Sequence, residues 1–204
     1  MNFIVSFNCM DIRVIKNGIK LVCAMAVLLI MPAVWAESPN EIKEQAYALY
    51  ATKNFNEAFQ LLDNLPNSEK NEEVFLMLAN IAEENKNDNL AIKNLNKALD
   101  KNNAYYKAYY NLGCIFARKK SYFLASNNFE LAIKYNKSFA SAYYNLACCE
   151  INLKNYELAR KHLLKAIELE PKNKDFYYNL ALCYKELNKE KQAKKTLEIY
   201  NSLG

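Results

Sequence analysis

The chain has 204 residues, 52% of them hydrophobic and 24% charged, with a formal net charge of +5. Three glycines and four prolines are too few for a turn-rich β fold, so composition favours helix. A charge this mild, with no dense basic run and no zinc-finger spacing, argues against a nucleic-acid partner.

In chain order, the first segment reads as a targeting sequence. Arg13, Lys16 and Lys20 form a basic stretch, Leu21 to Met31 is an apolar run, and Val34-Trp35-Ala36 supplies a small-residue cleavage site. The run falls short of the roughly 20 apolar residues that a spanning helix needs. Residues 1–36 are therefore expected to be a signal peptide, and 37–204 an exported domain that does not span the membrane. The expected location is the bacterial periplasm. The alternative is an inner-membrane anchor through an uncleaved signal.

The mature fold is expected to open at Ser38-Pro39-Asn40-Glu41, where Ser38 suits an N-cap, Pro39 the first helical position and Glu41 a capping box. Ile42, Ala46, Leu49 and Tyr50 follow at helical spacing. Lys53-Asn54 interrupts them, and Phe55, Ala58, Phe59 and Leu62 begin a second helix, which Pro66 ends. A second unit runs from Glu72, turning at Asn85 to Asp88. A third starts at Tyr106 and turns at Lys120-Ser121. A fourth starts at Ala140, turns at Lys154-Asn155 and closes at Pro171. A fifth starts at Lys174, and its last helix sets Lys191, Lys194 and Lys195 outward, as a capping helix should.

These units are copies of one another. Tyr109-Tyr110-Asn111-Leu112 returns as Tyr143-Tyr144-Asn145-Leu146 and as Tyr177-Tyr178-Asn179-Leu180, 34 residues apart each time. Ala125, Ala159 and Ala193 keep the same period, as do Phe129, Leu163 and Leu197. A fixed period of this length signals stacked supersecondary units rather than one globular core.

With these residues the chain resembles the tetratricopeptide repeat (TPR) family over almost all of residues 39–203. The fourth unit carries the pattern in Tyr143, Leu146, Ala147, Ala159, Leu163, Ala166 and Pro171, and the third in Tyr109, Leu112, Gly113, Phe116, Ala125, Phe129 and Ala132. The departures are Lys137 in place of the closing proline and Glu150 in place of a large apolar residue. The resemblance implies an all-α fold, a right-handed α-solenoid of about five helix-turn-helix units near 39–71, 72–105, 106–139, 140–173 and 174–204. It also places Gly113, Ala147 and Ala181 where the two helices of a pair cross closely.

In that family the first helix of each pair lines a concave groove for an extended peptide or a partner helix. The resemblance therefore implies a groove lined by Tyr110, Tyr144 and Tyr178, by Asn111, Asn145 and Asn179, and by Cys114, Cys148 and Leu182. A row of asparagines, each amide both donor and acceptor, could hold a peptide backbone whatever its sequence. Their side chains are expected to be exposed in the free protein. Against a binding role stands a composition bias, since about 28 residues are asparagine.

The expected function is an exported adaptor that binds a partner protein or peptide in the groove. The alternative is a structural scaffold subunit of a cell-envelope assembly, such as a pilus, secretion or outer-membrane machine. Catalysis is not expected, because no nucleophile, base and pocket come together. His162, the single histidine, follows Arg160-Lys161 on a second helix and is expected to be solvated. No cofactor or metal is expected. Four cysteines follow the leader: Cys114, Cys148, Cys149 and Cys183. Same-column cysteines on helices about 8–10 Å apart lie too far apart to bridge, so they read as small packing residues. Charge is uneven along the chain: residues 37–104 hold about 12 acidic and 7 basic groups, and residues 105–204 about 9 and 17.

Overall fold

The computed structural model describes residues 38–203, so the expected leader lies outside the described residues. The chain divides into two compact units, residues 1–42 and 43–204. Of the first, the described part is a helix start with a complete capping box. The Ser38 amide donates to Glu41 Oε2 at 2.7 Å and the Glu41 amide to Ser38 Oγ at 3.3 Å. Hydrogen bonding of the carboxylate by the Ser38 amide, and next by the Ser38 side chain, holds the Glu41 pKa below its ordinary value.

Ten helices and no strand occur among the described residues. They form five pairs: α1 (Pro39–Ala51) with α2 (Phe55–Asp63), α3 (Glu72–Glu84) with α4 (Asp88–Lys101), α5 (Tyr106–Arg118) with α6 (Tyr122–Tyr135), α7 (Ala140–Asn152) with α8 (Tyr156–Leu169), and α9 (Lys174–Glu186) with α10 (Glu190–Ser202). From α3 onward each helix packs on the next, and α5, α7 and α9 also touch in sequence, which is the stacking of an α-solenoid.

The turn within each pair has one construction. Lys53, Lys86, Lys120, Lys154 and Asn188 all adopt left-handed backbone, with φ between 56 and 64°. In the third unit the Lys120 amide bonds the Ala117 carbonyl at 2.9 Å and the Ser121 amide the Phe116 carbonyl at 2.9 Å. The other four turns repeat these two bonds. They satisfy carbonyls that a helix end leaves without partners. A lysine or asparagine occupies each site although glycine has the lower conformational cost there.

Small residues let the paired helices approach. Ala46, Ala79, Gly113, Ala147 and Ala181 each precede by 16 residues the large side chain of the partner helix, respectively Leu62, Leu95, Phe129, Leu163 and Leu197. Four of those large side chains are 1% exposed or less, and Leu197 is 40% exposed. The third unit alone pairs glycine with phenylalanine, and the reason is steric. A Cβ on Gly113 would lie 2.6 Å from Phe129 Cε1 and 2.7 Å from Cδ1.

Lys70 is buried in the connection to the second pair. Its Nζ donates to the Asp63 carbonyl at 2.7 Å, at the C-terminal end of α2. There it meets the negative end of the helix dipole.

Candidate functional site

The two tyrosines of each repeated motif have different surroundings. Tyr109 stacks on Tyr135 of its own second helix at 5.7 Å, and Tyr177 donates its hydroxyl hydrogen to the Pro171 carbonyl at 2.8 Å. Tyr109 thus closes its unit on itself, and Tyr177 ties its unit to the loop before it. The second tyrosines, Tyr110, Tyr144 and Tyr178, stand in a row with the asparagines that follow them.

Along this row the units are bonded side chain to side chain. Asn145 Nδ2 donates to Tyr110 Oη at 3.0 Å, and Asn179 Nδ2 donates to Tyr144 Oη at 3.0 Å. The same amides approach Cys114 Sγ at 3.8 Å and Cys148 Sγ at 3.6 Å. In the second unit Leu76 and Met77 replace tyrosine and asparagine, and Asn80 stands in the cysteine column. Asn111 accordingly donates to Asn80 Oδ1 at 2.8 Å. One pattern therefore recurs three times, an asparagine amide reaching back one unit.

This corrects the expectation of exposed asparagines with both hydrogen-bonding groups at liberty. Asn111, Asn145 and Asn179 are half-buried, and each commits its amide NH2 to the preceding unit. Adjacent first helices stand close enough for a tyrosine hydroxyl to intercept the next unit's amide. The carbonyl Oδ1 is the group left to accept from a ligand. The row is thus a pinned strip of aromatic rings and carbonyl acceptors.

Burial shapes its electrostatics. Desolvation raises the Tyr110 and Tyr144 hydroxyls to about 12, with a further upward contribution from the neighbouring thiol in each case. Desolvation also raises Cys114 to about 11 and pushes Cys148 up. These thiols stay protonated at neutral pH and behave as weak polar packing groups rather than nucleophiles. The four cysteines among the described residues are free, with Cys149 and Cys183 buried. Of the nine groove positions, Tyr110, Asn111, Cys114, Tyr144, Asn145, Cys148, Asn179 and Leu182 are half-buried, while Tyr178 is exposed.

His162 also departs from its expectation. It is half-buried, with Nδ1 covered and without a hydrogen-bond partner. Desolvation lowers its pKa, opposed in part by Glu150. Glu150 is itself buried, and its Oε2 accepts from Asn155 Nδ2 at 2.7 Å. Helical spacing alone does not show this pocket, because it arises where α7 and α8 pack. The neutral imidazole is the form that the fold favours. Acidification through the unfolded-state histidine pKa should therefore destabilise the protein, since the unfolded chain takes up the proton more readily. We expect the melting temperature of His162→Gln to fall less than that of the wild type between pH 7.5 and 5.5. Parallel melting curves for the two proteins would show that His162 is not responsible.

Among the described residues no cluster of three or more His, Cys, Asp or Glu could hold a metal, and no helix is long and apolar enough to cross a membrane.

Models of the tetratricopeptide repeat match residues 106–139 and 140–173, and another matches residues 162–195. The chain carries tetratricopeptide repeats in this region. It is similar to the crystal structure of MamA, at 21% identity and a TM-score of 0.72, over 78% of this chain and 93% of that one. It is similar to MamA from residue 41 to its end from Desulfovibrio magneticus RS-1, at 18% identity and a TM-score of 0.73, over 82% of this chain and 96% of that one. It is also similar to the C-terminal part of a TPR repeat-containing protein from Cytophaga hutchinsonii, at 20% identity and a TM-score of 0.73, over 90% of this chain and 74% of that one. At these identities the likeness is one of fold. No curated protein matches the chain.

Proposed function

We propose that this array of tetratricopeptide repeats is an exported adaptor that holds a segment of a partner protein along its first helices. The observation that carries the reading is the pinned row. Asn145 and Asn179 are fixed by the tyrosines before them, and their Oδ1 atoms recur with the spacing of the units. Fixed acceptors cost little entropy to engage, and tyrosine adds flat area that keeps a hydroxyl. Such a strip suits a backbone whose N–H groups point toward it, with the partner's apolar side chains between the rings.

A second reading rests on the other helices. Phe123 is 69% exposed, and Leu124 and Leu158 stand in one column of α6 and α8 at 47 and 49%. Large apolar side chains so exposed on the second helices suit a scaffold subunit that touches an envelope assembly through that side.

Photo-cross-linking in intact cells separates the two readings. A photoreactive residue at Cys114 or Cys148 should capture the partner, and one at Phe123 or Leu158 should not. The reverse distribution would move the function to the second helices. Export is tested on the same cells, where the protein from the envelope fraction should begin at Glu37. Recovery as a full-length integral membrane protein would support the uncleaved anchor instead.

A further inference from the structure

Between the third and fourth pairs lies a cavity of about 260 Å3. Its floor is Cys114 and Ala117 of α5 with Tyr122 and Phe129 of α6. Its roof is α7, through Asn145, Cys148, Cys149 and Asn152. A second depression, of about 530 Å3, lies on α9 and α10. Advanced by two periods of 34, the four floor positions become Leu182, Lys185, Glu190 and Leu197, and all four line this depression. It is the same seat with no described helix over it. The polar side chains of α10 do not cap it: Lys191, Lys194 and Lys195 are exposed, but Leu197 and Tyr178 face open space at 40 and 56% exposure. The Tyr178 ring rests on Tyr200, at 5.7 Å, whereas Tyr110 meets Phe139, which caps the start of α7, at 4.7 Å, and Tyr144 meets Phe176 of α9 at 4.9 Å.

We propose that this face of α9 and α10 docks an amphipathic helix of a partner protein whose contact face follows that of α9. The interface between successive units shows what fills such a seat. Toward α7, the helix α9 presents Phe176 against the Tyr144 ring and Asn179 on the Tyr144 hydroxyl. The remaining roof positions in its register are Leu182, Cys183 and Glu186. The docked helix therefore carries an aromatic residue, asparagine three positions later, small or apolar residues six and seven later, and an acid ten later. The acid is set by charge. Lys185 stands where the cavity under α7 has Ala117, and exposed Lys194 also lines the seat; with Glu190 on its floor the seat keeps an excess of one positive charge. The asparagine would give Tyr178 the amide donor that Tyr110 and Tyr144 already have. Tyr178 and Leu182 belong to the row as well, but Lys185, Glu190, Lys194 and Leu197 lie outside it, so the proposal goes beyond binding along the row.

The test uses the whole chain and a labelled synthetic peptide of residues 173–188 carrying Cys183→Ala, stapled on its outer face to preform the helix. Fluorescence anisotropy should rise and saturate. Leu197→Glu in the protein should weaken binding by about tenfold or more, a loss of about 1.4 kcal/mol. Lys185→Glu should weaken it too, and Glu186→Lys in the peptide should restore binding to that variant. Both altered protein positions are exposed, so circular dichroism should not change. Lys107→Ala, exposed on α5 outside both the row and the seat, should bind as the wild type does. Absence of saturable binding, full binding by Leu197→Glu, or failure of the charge reversal to restore affinity overturns the proposal. Dimerisation in sedimentation that Leu197→Glu abolishes overturns it as well, by giving the seat to a second copy.

Discussion

Gly113→Ala is expected to destabilise the protein by about 1 kcal/mol, and Gly113→Leu by about 3 kcal/mol. Two effects oppose each other at this position. Replacing glycine inside a helix with alanine gains up to about 1 kcal/mol of propensity. Overpacking a filled core costs about 1–3 kcal/mol. Overpacking wins, because the new Cβ would sit 2.6 Å from the Phe129 ring, and that ring is fully buried with Tyr110 at 5.7 Å on another side. The other units indicate the remedy, since alanine there always faces leucine. Phe129→Leu by itself should cost about 1 kcal/mol through the space it leaves. Combined with Gly113→Ala it recreates the Ala147–Leu163 arrangement, in which both residues are fully buried in one cluster. The double variant should then be at least as stable as the wild type, a favourable coupling of about 2 kcal/mol. Urea denaturation of the four proteins measures the coupling directly. Strictly additive effects would mean that Gly113 and Phe129 are not chosen for one another.

Asn145→Ala with Asn179→Ala is expected to cost about 1–3 kcal/mol, near 1 kcal/mol for each hydrogen bond removed. The cost follows from the observed geometry, since each amide donates at 3.0 Å to the tyrosine of the preceding unit. Removing the same bonds from the other side, by Tyr110→Phe and Tyr144→Phe, should cost a similar amount. All four changes together should cost far less than the sum, because each bond can be lost only once. The same variants bear on the proposed function. Alanine removes the Oδ1 acceptors, whereas the phenylalanine changes keep them and release their anchors. Partner binding should therefore fall more for the asparagine variant than for the tyrosine variant at equal stability. Full partner binding by a folded asparagine variant would remove the row from the proposal.

Much of this was legible in the sequence because a repeat protein is nearly one-dimensional. Each unit contacts its neighbours, so a pattern recurring every 34 residues carries both the helices and their stacking. The helix pairs, the capping box at Ser38 and Glu41, and the turns at Lys53, Lys120 and Lys154 depend on residues within a few positions of one another. Such features follow from local propensity and periodicity. The choice of glycine opposite phenylalanine in the third unit is also written in the chain, but only the approach of two helices gives it meaning.

The tertiary structure decided what depends on atoms brought together from different units. Sequence placed Asn145 and Asn179 in a groove column; packing set them 3.0 Å from tyrosine hydroxyls 35 residues away and consumed their donors. Sequence put His162 on a polar helix among basic neighbours; the packing of α8 against α7 covered its Nδ1 and brought it near buried Glu150. The polar composition of the last helix marked its lysines as outward; only packing shows that Leu197, in the register of Phe129 and Leu163, has no described helix over it. Periodicity assigns a residue to a face of its helix. What that face meets is set by the neighbouring unit, whose distance and side chains no single period contains.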